Sequence, residues 1–183
     1  MANLGQFGGI PMWQRKVQVP VIGFVGVLAI AATIAFAHGN DIGKAEATIG
    51  KAKVSISYGR PQLKGRDVSK LIQPGQMWRI GADVPTTIES DADLDFGGTR
   101  VPKGKHVLLA RLSAPGQWSL VVSSAPVSHY EPSAKLAEEP MTVEQGKDSV
   151  EDLTISLTNN SGEGVIEISW GTQKLSASFK PAS

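Results

Sequence analysis

No cysteine occurs among the 183 residues, so no disulfide can brace the fold and no thiolate can serve as nucleophile or metal ligand. Charge of one sign is also missing. Eighteen lysines and arginines stand against 17 aspartates and glutamates, a formal charge of +1. A nucleic-acid partner, which needs several phosphates neutralised at once, is therefore not expected. Aromatic residues make up 6%, and 20 Gly with 11 Pro are ordinary numbers for a globular chain, which excludes collagen and low-complexity disorder. Histidine is scarce, with His38, His106 and His129 the three in the chain. Since no G-x-S-x-G turn accompanies them, the sequence carries no Ser-His-Asp hydrolase signature. Helical periodicity is absent as well, because past residue 40 no long stretch repeats its apolar positions with the helical period.

What is present begins with a charge-free run. After Arg15-Lys16, residues 17–40 carry no charge and include Ala35-Phe36-Ala37, the A-x-A pattern that signal peptidase accepts. Cleavage after Ala37 would make His38 the mature amino terminus. The 21 residues 17–37 are longer than the usual apolar core of such a leader and could instead cross a bilayer as an uncleaved anchor helix. Gly23 and Gly26 weaken that helix and favour cleavage. On either reading residues 38–183 form the exported part, in the periplasm or at the cell surface, and the membrane is met through residues 17–37 alone. Residues 1–37 hold two of the basic residues and none of the acidic ones, so the exported part is nearly neutral, with 16 basic against 17 acidic. Its length suits one domain.

Within residues 38–183 the apolar pattern has period two. Val54, Ile56 and Tyr58 alternate with Ser55 and Ser57, and Leu153, Ile155 and Leu157 alternate with Thr154 and Ser156. Two further runs put Ile166, Ile168 and Trp170, and then Leu175, Ala177 and Phe179, on an inward face. These last three runs read as an antiparallel meander with one wet face. Residues 105–112 and 117–122 form a hairpin across Ser113-Ala114-Pro115-Gly116, where Pro then Gly suits a type II turn. Gly97-Gly98 and Pro102-Lys103-Gly104 punctuate short strands around residues 99–101. The expected fold is all-β, a single antiparallel sandwich of jelly-roll-like form after an N-terminal hydrophobic helix. Its core should include Ile56, Leu108, Leu120, Leu153, Ile155, Ile168, Trp170 and Phe179. Residues 62–74 and 126–133 read as loops, the first long enough to carry a site.

Five segments, in order, resemble a known family: Ser57-Tyr58-Gly59-Arg60-Pro61, Lys64-Gly65-Arg66, the run Pro74-Gly75-Gln76-Met77-Trp78-Arg79-Ile80-Gly81-Ala82, Thr86-Thr87-Ile88, and Val101-Pro102-Lys103-Gly104. Together they are similar to the bacterial domain of unknown function 2911 over roughly residues 45–181. The resemblance implies an exported β-rich domain and no assigned activity. Where the family continues Gly81-Ala82 with an Asn-Glu-Ala-like run, this chain has Asp83-Val84-Pro85, and where it tends to a tyrosine this chain has His106. Neither position can therefore be carried over as a family catalytic group.

The residues that could bind a ligand are basic and aromatic. Arg60, Lys64, Arg66 and Arg79, with Tyr58 and Trp78, flank the 62–74 loop. Arginine forks match carboxylates and phosphates, and tyrosine or tryptophan beside them can stack on a sugar ring, so this set reads as the mouth of an anion- or glycan-binding site. The competing reading pairs Arg60 or Arg66 with Asp67 or Asp83 and buries Trp78. Trp118 and Trp170, in phase with Leu120 and Ile168, read as core. Asp91, Asp93 and Asp95, at alternate positions, would share one solvated strand face; Phe96 stands where an EF-hand needs glycine. Copper is the one cofactor the sequence raises, because a free amine and imidazole at His38 can chelate together with His106 or His129 as third ligand. The reading as a whole is an exported non-enzymatic sandwich module for a small-molecule, glycan or protein ligand, with no catalytic residue assigned. Its alternative is an exported metal-assisted enzyme or copper-binding protein.

Overall fold

The alternation of apolar and polar residues becomes eleven strands in a computed structural model that describes residues 40–182. The expected leader or anchor, residues 1–37, and His38 lie outside the described residues. In chain order the strands begin with β1 (Asp41–Ile49), β2 (Ala52–Arg60), β3 (Met77–Trp78), β4 (Thr87–Ser90), β5 (Leu94–Phe96) and β6 (Thr99–Val101). Then follow β7 (Gly104–Ala114), β8 (Gln117–Ser123), β9 (Lys135–Pro140), β10 (Thr142–Asn160) and β11 (Glu163–Pro181). One short helix, α1 (Val68–Leu71), lies inside the 62–74 loop.

Two antiparallel sheets make the sandwich. The larger runs β1-β2-β4-β7-β8-β9, with β3 added to β7, and the smaller runs β10-β11-β5-β6. All eight expected core residues lie between them, none more than 5% exposed. Such burial contributes about 1.5–3 kcal/mol for each large aliphatic side chain, and in a protein without disulfides it carries the stability. The hairpin from β7 to β8 turns at Pro115-Gly116, where Gly116 takes a φ of 73°, as the second central residue of a type II turn requires. On the outer face of the larger sheet Leu109 and Val121 are also buried.

Two expectations are corrected. The C-terminal meander is not three strands, because Ile166–Trp170 and Leu175–Phe179 belong to the single strand β11. The inward positions change from even to odd across Gly171-Thr172, where the pairing with β10 is irregular and the extra residues stand on β10, so the change of phase lies within one strand rather than at a turn between two. Gly171 sits there at φ 60°, and a Cβ would come within 3.1 Å of Val68 Cγ2. The second correction concerns Asp91, Asp93 and Asp95, which do not share a strand face. The chain leaves the larger sheet at Ser90 and enters the smaller one at Leu94, so the three carboxylates fall in and around a crossing turn. Asp91 accepts from the Lys53 backbone N–H (2.7 Å), Asp93 from that of Lys103 (2.8 Å) and Asp95 from that of Gly98 (2.8 Å). Short acids that satisfy turn backbone this way are part of the turn.

Candidate functional site

β10 is an edge strand, so its outward backbone groups need partners from elsewhere. The segment leaving β2 supplies them. The Tyr58 hydroxyl accepts from the Ile155 N–H (2.9 Å) and donates to the Ile155 carbonyl (3.3 Å). Arg60 Nε donates to the Leu153 carbonyl (3.3 Å), the Leu153 N–H donates to the Pro61 carbonyl (3.0 Å), and the Leu63 N–H donates to that of Glu151 (2.7 Å). Tyr58, 3% exposed, is therefore a core residue closing the sandwich, and its expected place in a ligand mouth is corrected. Arg60 is committed to the same edge through neutral acceptors.

Past that edge the chain reverses through Lys64 (φ 51°) and Gly65 (φ 69°), with the Arg66 N–H returning to the Leu63 carbonyl (3.0 Å). Two successive left-handed residues make a type I′ turn and put Lys64 at an exposed tip. Arg66 then folds back over the turn. Its Nε donates to the Leu63 carbonyl (2.9 Å) and its Nη2 to that of Gln62 (2.6 Å), while the guanidinium lies 5.6 Å from the centroid of the Trp170 ring. Trp170 stacks on Trp78 with centroids 6.1 Å apart, and Trp78 meets Trp118 edge-on at 6.0 Å. Trp118 and Trp170 are buried as expected, whereas Trp78 is half-buried within this aromatic cluster.

Beneath the loop opens a cleft of about 600 Å³. Leu63, Val68, Ile72, Leu112, Trp118 and Val143 give it an apolar floor, and Arg66, Ser69, Gln145, Ser149, Thr172 and Gln173 give it a polar rim. The helix α1 forms one wall because Asp67 caps it, accepting from the Ser69 hydroxyl (2.7 Å) and backbone N–H (3.0 Å). Those two bonds hold the Asp67 carboxyl below the usual aspartate range, with Lys70 helping. A carboxylate so engaged is a weak proton acceptor, and the rest of the rim is amide, hydroxyl and guanidinium.

The six expected ligand residues thus divide. Arg66 lines the large cleft; Arg79 lines a separate cavity with Asp83 and His129; Lys64 is at a turn tip; Tyr58, Arg60 and Trp78 pack or bridge within the fold. Nor do the competing internal ion pairs form, since Asp67 pairs with Lys70 (3.6 Å) and Asp83 accepts from Asn40. Gln145 and Gln173, which sequence reading did not single out, reach the rim because β10 and β11 run well beyond the core they share. Each stands two residues from an apolar neighbour, Val143 or Leu175, and so on the same strand face, and a polar residue in an apolar phase was the available signal.

The histidines separate as well. His106 pairs with Ile88 on the core-facing side of the larger sheet, and its Nε2 contacts the Pro102 carbonyl (2.7 Å). His129 lies on the opposite face, in a cavity with Val107 and Leu109, its Nδ1 against the Ser128 hydroxyl (2.9 Å). Successive residues of a strand point to opposite faces, so His106 and His129 cannot meet at one ion. Among the described residues no group of three or more His, Asp or Glu is placed to hold a metal.

A family model with the description "Protein of unknown function (DUF2911)" matches residues 41–179. No curated protein and no solved structure matches the chain.

Proposed function

Because the chain belongs to the DUF2911 family, whose description assigns no activity, we propose from its own residues that it is an exported, non-enzymatic binding module for a sugar-like ligand bearing an anionic group. The observation that carries this reading is the chemistry of the 600 Å³ cleft, which lies within the range of about 300–1,000 Å³ common for small-molecule sites. A sugar presents apolar C–H faces and a fringe of hydroxyls, which match an apolar floor rimmed by Gln145, Gln173, Ser149 and Thr172. Arg66 supplies the one cation of that rim. Two of its nitrogens are taken by loop carbonyls, so the guanidinium is held in place while Nη1 has no hydrogen-bond partner among the described residues. A fixed, partly free guanidinium suits a carboxylate or phosphate.

Export is supported by Arg15-Lys16, the charge-free run after it and Ala35-Phe36-Ala37. No helix of the described residues is long and apolar enough to cross a membrane. Amino-terminal sequencing of the protein made in a bacterial host should read His38 first; recovery of Met1 or Ala2 in the membrane fraction selects the anchor instead. For the ligand, ¹⁵N-labelled protein titrated with D-glucuronate and D-glucose should show saturable shifts at the Gln145 and Gln173 side-chain amides, with glucuronate the tighter. Shifts confined to other parts of the molecule, or none with a panel of sugar acids, would remove the cleft as the binding site.

A further inference from the structure

We propose that the cavity on the outer face of the larger sheet, between Arg79 and Asp83, is a second binding site that takes a small free aliphatic α-amino acid as its zwitterion. The cavity has a volume of about 200 Å³, with apolar walls from Pro85, Val107, Leu109 and Val127. At roughly 30 Å³ per water it has room for about seven water-sized groups, the scale of one valine and too little for a sugar chain.

Its charges come in an opposed pair that is not spent internally. Arg79 is exposed and makes no ion pair among the described residues, and no salt bridge joins it to Asp83. Asp83 uses one oxygen, Oδ2, to accept from the Asn40 backbone N–H (2.8 Å) and side-chain amide (2.9 Å), leaving Oδ1 without a hydrogen-bond donor among the described residues. The Asn40 bonds keep the carboxyl ionised, below the usual aspartate range, and the nearby Arg79 charge adds to this.

The backbone that carries the two charges is strained and held by its surroundings. Ile80 is β-branched, fully buried and left-handed at φ 52°, and Asp83 is left-handed at φ 63°. The Thr86 hydroxyl donates to the Ile80 carbonyl (2.7 Å), and the Ala82 backbone passes so close to Gly59 that a Cβ there would lie 1.9 Å from the Ala82 carbonyl oxygen. Strain of this kind persists where surrounding packing over-determines it, and it gathers at ligand clamps. Here it fixes the backbone from which a cation and an anion reach one small apolar cavity. An α-ammonium on Asp83, an α-carboxylate on Arg79 and an aliphatic side chain against Val107 and Leu109 match its charged pair and its apolar walls, with Ser128 and His129 also in the lining.

Isothermal titration of the protein with L-valine, isobutyrate and isobutylamine tests the proposal. Valine should bind saturably, and each singly charged analogue at least tenfold more weakly. Arg79→Gln and Asp83→Asn should each weaken valine by tenfold or more, and Arg66→Ala, in the other cleft, should leave it unchanged. Asparagine tolerates the left-handed backbone and can still accept from Asn40, and Arg79 is exposed, so both variants should stay folded, with Asp83→Asn lowering the melting temperature only slightly. Isobutyrate binding as tightly as valine would make this a simple anion site and overturn the zwitterion; no saturable binding of valine overturns the site altogether.

Discussion

The Tyr58 hydroxyl and the Ile155 backbone, 97 residues apart in the chain, form a two-way hydrogen bond that joins the larger sheet to the edge of the smaller one. Gly43, opposite Tyr58 in the register of β1 with β2, makes room for the ring: a Cβ there would lie 2.4 Å from the Tyr58 Cζ. Removing the hydroxyl leaves a buried N–H and a buried carbonyl without partners. Tyr58→Phe is therefore expected to cost about 1–3 kcal/mol. Urea unfolding measures this, and an unchanged midpoint would mean that water replaces the hydroxyl.

Ile168 lies in β11 at the centre of the core, 2% exposed. Ile168→Ala should destabilise by about 2–5 kcal/mol, through lost burial and the cavity left behind. A loss below about half a kcal/mol would place the side chain outside the core, as a one-residue slip of register does.

Arg66 has a structural share as well as the proposed binding role, since it caps its own turn and lies over Trp170. Arg66→Ala should cost about 1 kcal/mol in stability from these exposed contacts and lose glucuronate binding entirely. Arg66→Lys keeps the charge and loses the fork, so it should retain weak binding. If it binds as tightly as the native protein, the geometry of the guanidinium is irrelevant to the site.

Glu138 and Glu139 are neighbours on β9 with opposite acid chemistry. Burial pushes Glu138 up, but Lys135, Ser119 and Arg111 more than offset it and hold the carboxyl below the usual glutamate range. Burial pushes Glu139 above that range, with Asp95 and Glu163 adding to the effect. A depressed acid contributes stability above its unfolded pKa and loses it as pH falls through the folded one; a raised acid opposes folding once ionised. Glu138→Gln should therefore lower the melting temperature at pH 7 and flatten its decline below pH ~4.5, the ordinary glutamate range. Glu139→Gln should raise the melting temperature at pH 7. Equal effects of the two substitutions would refute this assignment.

Alternation of apolar and polar residues is a local property, and so is turn chemistry. The sandwich, the eight core residues and the Pro115-Gly116 hairpin could therefore be read directly from the order of amino acids, as could the family motifs. The change of phase at Gly171 was legible in principle, because the inward positions shift from Ile166, Ile168 and Trp170 to Leu175, Ala177 and Phe179. The fate of the polar motif residues was not. Whether Tyr58 and Arg60 face a ligand or a bare strand edge depends on β10 being the outermost strand of its sheet, a fact set by strand order across the whole chain. Arg66 and Arg79, drawn from neighbouring motifs, were separated into two cavities by the same folding, and His129 was brought to the second, beside Arg79 and Asp83, from a distant segment. Burial and turn type follow from the residue and its neighbours; the use of a polar side chain is decided by which unpaired backbone group or charge the tertiary structure sets opposite it.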